Sequence, residues 1–320
     1  MSEAERPARL KAAPPTKQRN TTPPEQMLIT GGSGYLGGWV VRLACSTWDV
    51  TATYLTDPSQ TANVDWRRLD VRDRSSVEAL VGDVRPSVIV HTAALNPGQG
   101  TDFQAVNAEG TRHLADAAAA VGARLIHVST DVLFDGQKGN YTEADPPSPI
   151  TPYGRSKALA EAAIRACGAE AVILRTSLIY GPAADAPEGA PPDGRWRHWD
   201  RQTRWIVGDL RAGRAVRLFT DERRCPIWVK SLASALVELA HHPYAGVLHV
   251  AGPQALSRYA FGVRLARSHD VDPRGITPAL SRASGLTRPL DCTLDSSRAR
   301  TMLHTPLPGV DATLRTYPSP

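Results

Sequence analysis

The stretch "MLITGGSGYLGGWVVRLAC", residues 27 to 45, constrains the fold more than any other part of the chain. A short apolar run leads into closely spaced glycines and then into an amphipathic run in which Leu36, Val40, Val41 and Leu43 can face a sheet, the pattern of strand, tight turn and helix. Gly32-x-Gly34-x-x-Gly37 satisfies the dinucleotide fingerprint in the context that the fingerprint requires. Glycine at the turn lets the backbone approach a pyrophosphate, the helix N-terminus supplies N–H groups, and Gly37 permits close packing of helix on strand.

Further strands are expected at "VTATYLT" (50 to 56), "SVIVHTAAL" (87 to 95), "RLIHVST" (124 to 130) and "AVILRTS" (171 to 177). Between them lie the helical candidates "RSSVEALVGD", "VNAEGTRHLADAAAAVG" and "YGRSKALAEAAIRACG", the last two closed by Gly122 and Gly168. The alternation predicts an α/β fold, a doubly wound parallel Rossmann sheet, with ligands at the carboxyl ends of the strands. Thr30-Gly31, "HTAAL", "VSTD" and "LRTS" all end on that edge, and Tyr153 opens a helix near it. Residues 27 to 177 are expected to form the NAD(P)-binding domain, and 178 to 320 a smaller, partly interleaved C-terminal substrate-binding domain. In the latter, "VKSLASALVELAHH" reads as a helix and "GVLHVAG" as a strand returning toward the sheet. Residues 1 to 26, rich in Pro and charge and poor in large apolar side chains, are expected to be a disordered tail.

At 320 residues and 42% hydrophobic content the chain can bury a large core. Its net charge of +5 is dispersed rather than gathered into a basic run with aromatic partners, which argues against nucleic acid and suits a small anionic ligand. Cys45, Cys167, Cys225 and Cys292 form no C-x-x-C, and no H-E-x-x-H occurs, so neither a disulfide framework nor a metal site is expected; His241-His242 reads as structural. With no apolar run of membrane-spanning length and no secretory h-region, the expectation is a cytoplasmic protein without a membrane partner. Tyr153 and Lys157, four apart, share one helix face, but surface helices often carry such pairs, and the spacing alone assigns them no chemistry.

Taken together, "TGGSGYLG" at 30 to 37, Asp70, "HTAA" at 91 to 94, "VNAEGT" at 106 to 111, "STDVLFDG" at 129 to 136 and Tyr153-x-x-x-Lys157 resemble an extended short-chain dehydrogenase/reductase, whose G-x-x-G-x-x-G spacing is also present. "STDVLFDG", "YTEADPPSPITPYGRSKALAE", "LRTSLIYG" and "RPLDCTLDSSRAR" are similar to the dTDP-4-dehydrorhamnose reductase family, over roughly residues 27 to 300. Departures from the family wording are Val132-Leu133 for Tyr-Val, Ala160 for the glycine before Glu161, and a Pro/Trp/Arg-rich segment at 183 to 205.

The resemblance implies reduction of the 4-keto group of a nucleotide-linked 6-deoxysugar. Tyr153 would be the proton donor, Lys157 would lower its pKa and hold the nicotinamide ribose, and Thr130 would polarise the carbonyl, with Ser129 the alternative donor. It implies a cofactor site at Gly31, Gly32, Ser33, Gly34, Tyr35, Leu36, Gly37, Asp70, Val71, Ala93, Ala94, Tyr153 and Lys157. A helix N-cap is the competing reading of Asp70. Asp131 and Arg223 are expected at the substrate, and Arg288 or Arg298 at a diphosphate. "TATYLTDP" offers no acid within its strand for a ribose 2′-hydroxyl, so NADPH is the expected cofactor, with NADH use open.

Two other readings are carried: a nucleotide-sugar epimerase or dehydratase, and an NADP-binding regulatory subunit resembling that of methionine adenosyltransferase. The T-D-E pattern of the 4,6-dehydratases is absent, since Val132 follows Asp131, and intact Thr130, Tyr153 and Lys157 lean toward a reductase. A homodimer is compatible with the sequence.

Overall fold

Met27, Leu28 and Ile29 are completely buried, as are Ile89 and Val90, and continuous burial of this kind requires a sheet covered on both faces. The computed structural model describes residues 25–59, 61–186 and 198–316, and everything below refers to these. The expected tail, apart from Glu25 and Gln26, and most of the Pro/Trp/Arg-rich segment lie outside them.

The first half of the chain alternates β1 (Gln26–Thr30), α1 (Tyr35–Ala44), β2 (Asp49–Tyr54), β3 (Asp65–Arg68), α2 (Arg74–Val84), β4 (Val88–His91), α3 (Gly110–Val121), β5 (Arg124–Thr130), α4 (Pro152–Ala166) and β6 (Ala171–Thr176). A short strand β7 (Ile179–Tyr180), α5 (Arg201–Arg211), β8 (Val216–Phe219), β9 (Arg223–Arg224), β10 (Ile227–Trp228) and α6 (Val229–His241) follow. The chain then forms β11 (Gly246–His249), β12 (Leu256–Ser257), α7 (Arg258–Ser268), β13 (Ile276–Ala279), α8 (Ser297–Met302) and α9 (Val310–Thr316).

The central sheet runs β11-β6-β5-β4-β1-β2-β3, and every pairing in it is parallel. Side chains of α1 and α6, including Trp39, Val40, Leu232 and Leu236, cover one face, and those of α2, α3 and α4, including Val77, Leu114 and Ile164, cover the other. Strand order reverses at β1, with β2 and β3 on one side and β4 on the other, so the crevice for a ligand opens between the carboxyl ends of β1 and β4. A second core joins Tyr180, Ile206, Leu218, Trp228, Phe261 and Leu265 from α5, α7 and the short paired strands of the C-terminal half. From that half, β11 reaches back to pair with β6.

Helix ends follow local chemistry. Asp73 accepts from the Ser75 and Ser76 N–H groups at the start of α2, and Thr151 accepts from Gly154 N–H at the start of α4, with Pro152 in the first turn. Gly122 closes α3 with φ 72°. The strand expected over 87 to 95 stops at His91, and by Leu95 the backbone is held by Asn107, which accepts from Leu95 N–H at 2.8 Å and donates to Leu95 O at 3.0 Å. Asn107 sits in a π-helical turn, Gln104–Glu109, that leads into α3.

Candidate active site

The loop between β1 and α1 is built around two glycines. Gly31 has φ 69°, and a Cβ there would lie 2.7 Å from the Ala93 Cα. At Gly37 a Cβ would lie 2.1 Å from Gly31 O, so no side chain is admissible where the helix starts against the turn. Gly34, at the helix N-cap, donates its N–H back to Gly31 O at 2.9 Å.

This loop forms one end of a cavity of about 720 Å³ at the carboxyl edge of the sheet. The cavity runs past Tyr54 and Leu55 after β2, Asp70 and Val71 after β3, and Ala93 to Asn96 after β4, and reaches Thr130, Tyr153, Lys157 and Ser177. Its glycine cradle, helix N-terminus and length of lining fit a dinucleotide, whose adenosine end would lie by Leu55 and Asp70 and whose reactive end would lie by Tyr153.

Of the residues expected to hold the cofactor, Gly31, Ser33, Gly34, Tyr35, Leu36, Gly37, Asp70, Val71, Ala93, Ala94, Tyr153 and Lys157 all line this cavity. Gly32 does not: its Cα is packed against the Ala52 side chain, where an added Cβ would sit 2.8 Å away, so the frame that faces the cavity is Gly31-x-x-Gly34-x-x-Gly37. Asp70 is not a helix cap, since Asp73 fills that role; its carboxylate accepts from Arg72 Nη2 at 2.6 Å. That hydrogen bond from Arg72 holds the Asp70 carboxyl below the usual carboxylate range.

At the far end, the Tyr153 hydroxyl is 3.4 Å from Asn96 Oδ1, to which it donates, and its ring meets Phe103 edge-on. Burial pushes the phenol up to about 12, against a lowering hydrogen bond with Thr130. Thr130, at the end of β5, is half-buried with its oxygen accepting from Val132 N–H at 3.3 Å. Ser129 is not available as the alternative donor, because its hydroxyl is committed to Glu161 Oε1 at 2.7 Å. Lys157 is buried, and its ammonium donates to Val128 O at 2.7 Å and contacts His127 Nε2 at 3.0 Å. Burial lowers the lysine to about 7, partly countered by Glu161.

The expected substrate residues are placed differently. Asp131 is buried behind Thr130, where its carboxylate accepts from Ser177 Oγ at 2.6 Å and lies 3.6 Å from Arg224 Nε. Burial raises its pKa against the pull of Arg224. Arg223 pairs with Asp291 at 3.7 Å, Arg288 is bound by Glu222, and Arg298 donates to the Tyr244 hydroxyl at 3.3 Å; none of the four lines the cavity. All are ordinary arginine or carboxylate positions in sequence, and the partners they find come from distant segments. Sequence reasoning did not single out Asn96 or Phe103, which carry no local spacing signal, and it gave no role to His91 within "HTAA" or to His127 within its strand.

Among the described residues no cluster of His, Cys, Asp or Glu has the arrangement of a metal site, and no helix is long and apolar enough to cross a membrane. Of the Pro/Trp/Arg-rich segment, Asp200 caps α5 and Arg201 donates to Pro97 O at 3.3 Å, so the segment's end abuts the Asn96 loop at the cavity rim.

Residues 25–317 match the family model described as the RmlD substrate binding domain. The chain is 31% identical to a dTDP-4-dehydrorhamnose reductase of Mycobacterium tuberculosis, over 80% of each chain. It is 28% identical to methionine adenosyltransferase 2 subunit beta of Rattus norvegicus, over 88% of this chain and 83% of that one. Among solved structures, a hypothetical dTDP-4-dehydrorhamnose reductase from Sulfolobus tokodaii superposes with a TM-score of 0.76 at 31% identity, covering 89% of this chain and 98% of that one.

Proposed function

Because the chain belongs to the family described as the RmlD substrate binding domain, we propose that it reduces the 4-keto group of a nucleotide-linked 6-deoxysugar with NADPH. It is an oxidoreductase of the extended short-chain type, with NAD(P)H as the reductant. The observation that carries the reading is that Thr130, Tyr153 and Lys157 line one cavity with the Gly31–Gly37 loop. In the relatives' names the same family includes both a reductase and a subunit of methionine adenosyltransferase. The complete hydroxyl, phenol and lysine set supports the former.

Bound in this cavity, a reduced nicotinamide would supply the hydride for the carbonyl carbon. The chain's own residues manage the oxygen. A phenol raised to about 12 keeps its proton at neutral pH and is a donor rather than a base, so Tyr153 can hold the carbonyl oxygen by a hydrogen bond and release its proton as the alkoxide forms. Thr130, within reach of Tyr153, adds a second hydroxyl to the developing charge. Lys157 was expected to lower the phenol's pKa. Burial raises the phenol, and Lys157, whose ammonium donates to Val128 O, is proposed both to hold the nicotinamide ribose and, with the oxidised nicotinamide, to bring the phenol's pKa down.

For the substrate, this reading keeps Asp131, Arg223 and Arg288 as proposed contacts and adds Arg258, which like them lies outside the lining of the cavity. Its guanidinium makes one side-chain hydrogen bond, from Nη2 to Gln202 Oε1 at 2.6 Å. Burial, then repulsion by Arg224 and Arg288, pulls its pKa down to about 10, a strain that a bound anion relieves. Division of the chain into a cofactor domain up to 177 and a substrate domain beyond it belongs to the same proposal, as does a cytoplasmic location; a homodimer is the assembly to be looked for.

The test is loss of reduced-nicotinamide absorbance with NADPH and dTDP-4-dehydro-6-deoxy-L-mannose, run beside Tyr153→Phe. Turnover that disappears in the variant supports the reading. Tight NADPH binding without turnover on any keto sugar moves the regulatory-subunit reading ahead.

A further inference from the structure

Two imidazoles lie beneath the lysine of the active site, and the chemistry described so far uses neither. His91 ends β4 and His127 lies in β5; both are 1% exposed, and their rings are 5.1 Å apart. Hydrogen bonding assigns the protons. The Thr111 hydroxyl donates to Asn107 O at 2.6 Å, so toward His91 Nε2, 3.0 Å away, it can only accept. His91 is therefore the Nε2–H tautomer, and its Nδ1 accepts from the Thr30 hydroxyl at 2.7 Å. With both nitrogens engaged and no counter-charge, His91 is neutral, and burial lowers it to about 3.

His127 differs. Its Nε2 faces Lys157 Nζ at 3.0 Å, while its buried Nδ1 has no hydrogen-bond partner. When Lys157 is an ammonium it donates to both Val128 O and His127 Nε2, which puts the imidazole proton on Nδ1. An amine at the same place retains a donor for Val128 O, while its lone pair accepts from a His127 Nε2–H, leaving Nδ1 bare. The unpartnered nitrogen is what makes both tautomers admissible, since neither breaks an existing bond there. No comparable freedom exists at His91.

We propose that His127 is a positioning residue for the reduction: by exchanging tautomers it holds Lys157 Nζ at one place in both protonation states and sets the pH above which the lysine loses its charge. The assignment rests on the reductase reading only for its kinetic consequence. Other titratable or charged groups around the pair are His91 on β4, Tyr153 and Glu161 on α4, Arg175 on β6 and Asp131 after β5. Glu161 is bound by Arg175 at 2.8 Å and Arg165 at 2.9 Å, which leaves His127 as the side chain that touches Nζ directly.

The experiment has two arms on the full chain. In the wild type with NADP+ bound, the ring nitrogen shifts of His127, assigned by its loss in His127→Gln, are followed from pH 6 to 10. The Nδ1–H form is expected at low pH, changing to Nε2–H through the lysine's titration; a single tautomer throughout, or an imidazolium, overturns the proposal whether or not any sugar is reduced. In the kinetic arm, His127→Leu, which removes the acceptor, is expected to move the alkaline limb of kcat/KM for NADPH down by about one pH unit, tenfold in proton activity, and His127→Gln, whose amide oxygen accepts, to bring it back. A folded His127→Leu protein whose limb stays at the wild-type pH, whatever its overall rate, overturns it. Absence of turnover in the wild type with an intact tautomer exchange would remove the reductase reading and leave standing only that His127 holds Lys157 Nζ in both protonation states.

Discussion

Tyr153 and Lys157 stand one turn apart on α4, yet their polar ends part company: the phenol donates to Asn96 Oδ1 at 3.4 Å, and the ammonium donates to Val128 O at 2.7 Å. One side chain addresses the loop after β4 and the other the end of β5, so the pair spans the mouth of the crevice instead of closing on itself. This division is consistent with the proposal that Tyr153 serves the substrate oxygen and Lys157 the cofactor.

Replacing Tyr153 by Phe removes the proton donor and leaves the ring that packs on Phe103. Turnover is expected to fall by roughly 100-fold or more, the range for loss of a general acid, with NADPH affinity within a few-fold of wild type. Absorbance kinetics and a fluorescence titration of NADPH separate the two; a variant that loses affinity and rate together contradicts the assignment.

Thr130→Val keeps the β-branched shape at the end of β5 and deletes the hydroxyl. Its kcat is expected to fall by about 100-fold, the cost of one donor to a developing oxyanion, with Thr130→Ser recovering most of it. Because the Thr130 hydrogen bond lowers the Tyr153 pKa, the valine variant should titrate its phenol at higher pH, which ultraviolet difference spectra measure.

Gly37→Ala places a methyl 2.1 Å from Gly31 O, which is backbone and cannot move aside without opening the turn. Loss of detectable NADPH binding and a lower Tm are expected together. Gly213→Ala, on the surface with no atom within 4 Å of the added Cβ but with φ 71°, serves as a control that costs stability without touching the cofactor.

Where β2 ends, Thr53, Tyr54 and Leu55 line the cavity and none is acidic, while Arg68 on β3 donates from Nε to Leu55 O at 3.2 Å. Arg68 does not itself line the cavity, but its contact with Leu55 puts a guanidinium behind the rim where a ribose 2′-phosphate would lie. NADPH is expected to be preferred over NADH, and Arg68→Ala to raise the KM for NADPH several-fold with that for NADH unchanged; equal effects on both cofactors contradict the assignment.

The buried pair Glu161 and Arg175, joined at 2.8 Å and 3.0 Å, is expected to hold the floor of the site. Burial pushes the Glu161 carboxyl up, but the Arg175 hydrogen bonds and charge, with Ser129 and Arg165, outweigh it and bring it below 4.5. A carboxylate depressed on folding contributes stability that is fully present above its unfolded pKa and is lost as the pH falls through the lower folded value. Urea midpoints of the wild type and Glu161→Gln should therefore differ most above pH 5 and converge toward acid. Breaking one partner of a buried pair costs about 3–5 kcal/mol, so Glu161→Ala should unfold well before the wild type at neutral pH.

Much of this was legible beforehand because it is written at short range. A parallel strand buried on both faces has to be apolar throughout, a β-α turn against a phosphate site has to be glycine, and a tyrosine and lysine one turn apart share a helix face wherever the helix sits. The strand–glycine–helix opening, the alternation up to β6 and the residues at the carboxyl edge needed no more than that. Boundaries were missed where a distant side chain intervened, as at Leu95, whose backbone is claimed by Asn107.

The rest depends on which surfaces meet. Ser129 and Thr130 are neighbours with the same chemistry in the sequence, but alternation along β5 sends one hydroxyl to Glu161 on α4 and leaves the other at the cavity. Asp131, Arg223 and Arg288 read as ligands for a substrate, and segments some 46 to 68 residues away supply Ser177, Asp291 and Glu222 as partners that the sequence did not disclose. His127 acquires a role only when α4 lays Lys157 across it. The sequence alone determined the cofactor loop and the sheet, because local backbone geometry and spacing dictate them, and it pointed to the hydroxyl, phenol and lysine set only through family resemblance; tertiary packing decided which polar side chains remain free for chemistry, because a polar group is free only when no buried neighbour has already satisfied it.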